Sequence, residues 1–307
     1  MLDRLPAELA IRIIEQAALD FRFSADHRQS LVHLASTSHA IYAIVAPILY
    51  HTLIVTRHNC SKIQSLMFDE DSHAAAARFS SYVRVLIHNT GMTFKINPAL
   101  FNSLESVSTL GEFVRAIYEH VDPSRQSSQL RHLTISSIAF AHDVANLPGH
   151  ARAHVTHVCG FLPLIPQSYS PHSEWERMHG TPAAWACEIL DALPELTHLG
   201  LVLVNVGKQN AVDSTPKRFK LDALLVVVQA ALEYHGGKLK RVGLRIAGQY
   251  LELRRGDIEE MIRQIKDPRF IVWWDERPMT IWEEWNDHGN EDVMSGRGMW
   301  TEGRNVA

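Results

Sequence analysis

The chain has 307 residues, 46% of them hydrophobic and 21% charged, with 30 basic against 34 acidic side chains and a formal net charge of −4. That length suits one large domain, or a small module joined to a larger one, and excludes a mini-protein. The charges are balanced and interspersed, so no basic stripe is available to neutralise a run of phosphates, and nucleic acid is not an expected partner.

Residues 1–56 read as a helical unit. Leu5, Leu9, Ile13 and Ala17 recur every four residues with Ile14 beside them, Pro6 sits where a helix lacks an N–H partner anyway, and Glu8 suits the positive helix end. These features predict a helix from about Pro6 to Leu19. A polar stretch around Ser24 to Gln29 follows, then the short apolar face of Leu31, Leu34 and Ala35. Ser38 is placed to cap a third helix carrying Ile41, Tyr42, Val45 and Leu49, which Pro47 should bend or end. His51 to Thr56 is a β-branched, alternating run, the pattern of a strand.

Beyond residue 72, strand-like and helix-like segments alternate, the order expected of parallel strands joined by crossover helices. Six strands are predicted: 82–88, 130–136, 155–160, 196–204, 239–246 and 269–274. Helices are predicted after a capping box at Thr109 and Glu112, along the stripe Leu221, Leu224, Leu225, Val228 and Leu232, and after a second box at Asp257 and Glu260 that Pro268 terminates. Three strands share an apolar residue followed three and five places later by others: Leu130, Leu133, Ile135; Leu196, Leu199, Leu201; Leu239, Val242, Leu244. That is the strand core of a leucine-rich repeat. The strand starts are 25 to 48 residues apart, against about 20 to 29 in regular arrays, so an irregular repeat is expected. Residues 276–307 carry seven acids and three arginines with isolated tryptophans. They read as a flexible acidic tail, or alternatively as a docking segment.

Signatures of catalysis are absent. No phosphate loop, dinucleotide fingerprint, nucleophile elbow or His-Glu-x-x-His occurs, and the chain is expected to be no enzyme. Among the 18 histidines, the tightest cluster is His154, His157 and Cys159. A strand would turn His154 and His157 to opposite faces, so neither metal nor cofactor is expected. His142 with Asp143 reads as loop polarity and Cys187 as a small helix residue. Cys60, Cys159 and Cys187 are too few and scattered for a disulfide framework. The opening, with Asp3, Arg4, Pro6 and Glu8, does not fit a signal peptide. The longest apolar run, Leu221 to Leu232, is too short to cross a bilayer. An intracellular protein, cytoplasmic or nuclear and without membrane contact, is expected, and the Asn59-Cys60-Ser61 triplet is then a chance glycosylation match.

LPAEL at residues 5–9, an isoleucine-rich helix, and LVHLASTSHAIYAIVAPILYHTLIV at 31–55 together resemble the F-box, in particular the divergent F-box of many fungal proteins. Through this short helical module, substrate receptors attach to Skp-cullin-F-box ubiquitin ligases. The resemblance implies that Leu5, Pro6 and Leu9 form the adaptor-contacting opening and that Leu31, Leu34 and Ala35 lie on the second helix, with Ile13 and Tyr42 completing the adaptor surface. It also implies a repeat domain that recruits a protein substrate. Exposed residues around its strand leucines are candidates for that contact: Arg131, His132, Thr134, Thr197, His198, Lys240, Arg241 and Arg245. The expected fold is therefore α/β, with an F-box-like helical module at 1–56, an irregular leucine-rich-repeat-like α/β solenoid with short parallel strands at 57–275, and the acidic tail at 276–307. The expected function is a substrate-receptor subunit that binds the Skp adaptor, and through it the cullin complex. A scaffold unrelated to ubiquitin, or an α/β enzyme without a recognisable motif, is the alternative.

Overall fold

The first helix, α1, spans Ala7–Phe21, followed by α2 at Ala25–Ala35 and α3 at His39–Leu49, in a computed structural model that describes residues 6–21, 25–68, 73–88, 103–109, 130–135, 140–163, 181–204, 221–234, 238–247 and 251–275. Ser38 is extended, and its hydroxyl accepts the Ile41 N–H at 3.2 Å, as its cap role requires. Pro47 lies in the last turn of α3, which stops two residues later. The helix α2 begins at Ala25, inside the stretch read from sequence as a polar connection. The three helices pack on one another around Leu31, Ala35 and Val45, with Ile14, Leu34, Ile41 and Tyr42 against them. This small core is separate from the main one.

Eight strands follow: β1 Thr52–Val55, β2 Val85–His88, β3 Ser106–Thr109, β4 His132–Ile135, β5 His157–Pro163, β6 His198–Val204, β7 Arg241–Ala247 and β8 Phe270–Asp275. They form one all-parallel sheet in which each strand pairs with the next in sequence order. Among the described residues no pairing joins β8 to β1. The register sets Leu53, Leu86, Val107, Leu133, Val158, Leu199, Val242 and Phe270 level with one another. All eight are buried in the main core.

Helices α4 (Cys60–Phe68) and α5 (His73–Tyr82) connect β1 to β2; α6 (Phe140–Ala145) and α7 (Gly149–Arg152) precede β5; α8 (Pro182–Ala192), α9 (Leu221–Tyr234) and α10 (Leu251–Gln264) lead to β6, β7 and β8. Phe140, Trp185, Ile189, Val228, Ile258 and Ile262 from these helices share one core with the level strand residues. Among the described residues, these helices therefore pack on the face of the sheet that carries the level row.

Several sequence expectations change. The strand at 51–56 was grouped with the helical module, yet it pairs with β2 and places Leu53 and Val55 in the main core. The strand β3 was missed: Val107 is its only strongly apolar residue. The proposed cap Thr109 is instead its last, buried residue, and residues 110–129 lie outside the described residues. Its presence splits the longest gap between strands, because Leu104 and Val107 repeat the spacing of Val83 and Leu86 and of Leu130 and Leu133. The helix α10 starts at Leu251, so Asp257 lies within it and not at its cap. The acidic segment 276–307 lies outside the described residues.

Two details fix the packing locally. The Arg269 guanidinium pairs with Asp267 at 2.6 Å and donates to the Leu232 and Leu239 carbonyls, at 2.9 and 3.4 Å, tying the end of α9 to the start of β8. Gly160 stands where other strands carry Leu or Ile, and the buried Phe140 ring fills the space its side chain would occupy. A Gly160→Ala substitution is expected to cost about 1–3 kcal/mol through overpacking against that ring. Denaturant unfolding should show a lowered midpoint at unchanged m-value.

Candidate functional site

The strand starts supply a repeated backbone device. Carbonyls of His51, Arg84, Glu105, Arg131, Thr156 and Thr197 each accept two N–H groups from the first residues of the next strand, at 2.8–3.2 Å. Residues following those carbonyls are thereby aligned in a row, and on β4 to β7 the row reads His132, His157, His198, Arg241. By strand alternation this row lies on the face opposite the helices.

The three imidazoles stack. The His157 and His198 rings are 4.1 Å apart and nearly parallel, and His132 lies 4.5 Å from His157, tilted. Thr156 Oγ1 lies 2.9 Å from His157 Nδ1 and donates to the Arg131 carbonyl; Thr197 Oγ1 lies 2.8 Å from His198 Nδ1 and donates to the Thr156 carbonyl. A hydroxyl has one proton. With it committed to a carbonyl, the oxygen accepts from Nδ1–H, which assigns the Nδ1–H tautomer to both neutral rings.

Electrostatics keep the three imidazoles neutral at pH 7. Burial, reinforced by His198, His132 and Lys240, pushes His157 down to about 3. Burial with Arg241, Lys240 and His132 takes His198 down to about 4. His132 is lowered by burial and Arg131, against the opposing pull of Glu105. A fourth histidine, His88, lies on the core side, buried, with Nδ1 3.1 Å from Thr109 Oγ1, and burial takes it to about 4.

Of the residues expected to meet a substrate, His132, Thr134, His198, Arg241 and Arg245 share the face opposite the level apolar row. Arg131, Thr197 and Lys240 stand immediately before β4, β6 and β7, at the edge of the sheet. Arg245 is only 3% exposed, with its guanidinium 5.2 Å from the centre of the Trp273 ring. That burial removes it from the accessible candidates. Sequence reasoning missed the stacking partner His157 and the ring of Trp273. The recurrence of Thr-His at 156–157 and 197–198 was the available signal. His157 and Cys159 do share a face, but among the described residues no three His, Cys, Asp or Glu side chains come together as a metal site.

The expected adaptor surface divides. On α1, Leu9 and Ile13 are 48% and 50% exposed, and Val32 on α2 is 51% exposed. Pro6 is exposed as well, while Leu34 and Tyr42 are half-buried. Leu31 and Ala35 pack inside the module's own core and are unavailable to a partner, a correction to the sequence reading. Leu5 lies outside the described residues. Asn59, of the possible glycosylation triplet, is engaged through its side chain with the Thr56 N–H and the Ile54 carbonyl, at 2.7 and 2.8 Å.

No protein-family model and no curated protein matches the sequence. Among solved structures, the chain is similar to a GH10 endoxylanase retrieved from a sugarcane soil metagenome, at 11% identity and a TM-score of 0.31, over 71% of this chain and 67% of that one. The matched protein is an enzyme, which stands against the sequence expectation of a chain that is no enzyme. At that score the likeness carries no argument for the same activity here. Among the described residues no helix is long and apolar enough to cross a membrane.

A pH dependence follows from the histidines. Their folded-state values lie below the ordinary 6.5, so between about pH 6.5 and 4 the unfolded chain binds more protons and stability falls as pH falls. Thermal unfolding should show a lower midpoint at pH 5 than at pH 7, with a shallower dependence in His157→Gln; equal slopes for the two proteins would refute the assignment.

Proposed function

We propose that this chain is a substrate receptor of a Skp-cullin-F-box ubiquitin ligase: its N-terminal helices, an F-box-like module, bind the Skp adaptor, and its α/β domain, a leucine-rich-repeat-like solenoid, holds a protein target. The observation that carries the reading is the outward position of Leu9 and Ile13. An amphipathic helix ordinarily buries such a stripe, whereas α1 turns these two residues to solvent and packs Ile14 inward. A partner that covers them removes apolar area from water at roughly 25 cal/mol per Å².

The α/β domain supports the second half. The level apolar positions, sequential strand order and one-sided helices agree with a solenoid in which each unit contacts its neighbours. The strand-start edge then presents polar residues, with Arg131, His132 and Lys240 exposed, to a target. Such a receptor acts by proximity, holding its target within reach of the ubiquitin-transferring subunits.

Capture of the full-length chain by a Skp adaptor from the same organism tests this reading. Leu9→Asp/Ile13→Asp is expected to lose binding by more than about tenfold while unfolding at the wild-type temperature, because both side chains already face water. Absence of binding by the folded wild-type chain overturns it.

A further inference from the structure

We propose that the start edge of β4 to β7, comprising Arg131, His132, His157, His198, Lys240 and Arg241, docks an acidic polypeptide segment of a partner protein. The inference rests on the receptor reading and names the chemistry of its target. Charge complementarity carries it. Arg131 and Lys240 are exposed and, among the described residues, enter no ion pair. They flank the stacked imidazoles, and Arg241 continues the same row. Glu105, whose carbonyl accepts the Arg131 N–H, is paired with Arg84 at 3.6 Å, and Glu195 is exposed before β6. Arg245 lies four residues further along β7 than Arg241, and Cys159 two residues further along β5 than His157.

Dimensions agree with an extended segment. Four adjacent strands at about 4.8 Å spacing span roughly 14 Å, the reach of about four to five extended residues. Carboxylates set along that span meet a cation at each end and imidazoles between. Because an adjacent anion favours the protonated ring, docking draws protons onto the row and strengthens in acid.

The probe is a rhodamine-labelled hexaglutamate peptide, with hexaglutamine as the neutral control, titrated against the full chain by fluorescence anisotropy in about 50 mM salt, where screening is modest. Hexaglutamate is expected to bind and hexaglutamine not. Arg131→Gln/Lys240→Gln should weaken binding about fivefold or more, while Lys62→Gln/Arg78→Gln, the same charge change on α4 and α5, leaves it within about twofold. Between about pH 7.5 and 5.5 the wild-type affinity should rise about fourfold, and His157→Gln/His198→Gln should flatten that rise. If this variant does not fold, the exposed His132→Gln is read in its place. No binding by the folded chain, equal binding of both peptides, or equal losses in the two charge variants overturns the proposal, as does a pH response that the histidine variants leave unchanged. No adaptor is present, so this failure is distinct from failure of the adaptor reading.

Discussion

Six backbone carbonyls, from His51 to Thr197, hold the sheet level by each receiving two N–H groups from the start of the following strand. Side chains alternate between faces along a strand, so a slip of one residue would turn Leu133, Leu199 and Val242 away from the helices and bring His132, His198 and Arg241 into the core. Burying those polar groups without partners is costly, and this penalty specifies the register as strongly as the apolar positions do. The core and the polar row are two consequences of one alignment.

That alignment also explains why a row of histidines is tolerable. Neighbouring parallel strands bring equivalent residues close together, and three protonated imidazoles at 4.1 and 4.5 Å would repel one another. As neutral rings they stack, with Nδ1 held by the preceding threonine on two of them. The row is stable at neutral pH and responsive in acid, and the exposed Arg131 and Lys240 bias the same edge toward anions. In the N-terminal helical unit, Leu9 and Ile13 give α1 an apolar outer face.

Much of the architecture was legible because it follows from periodicity. The module's helices, seven of the eight strands and the capping role of Ser38 were each visible in the spacing of apolar and capping residues. The strand β3 was not, since Ser106, Val107, Ser108 and Thr109 carry too little hydrophobicity to signal a strand, and only pairing to β2 and β4 stabilises it. The candidate site was legible as a set of residue types at strand starts. Its stacking, its tautomers and the loss of Arg245 to burial arise between residues 25 to 43 positions apart and leave no mark in any local window.

By itself the sequence determined an α/β chain with a separate N-terminal helical unit, because hydrophobic period and capping chemistry act within a few residues. Tertiary structure alone decided which apolar residues are left over. Leu31 and Ala35 are as apolar as Leu9 and Ile13, yet the first two fill the module core and the second two face water. Amphipathic spacing states that a stripe must be covered; only the packing of three helices against one another selects which stripe faces water.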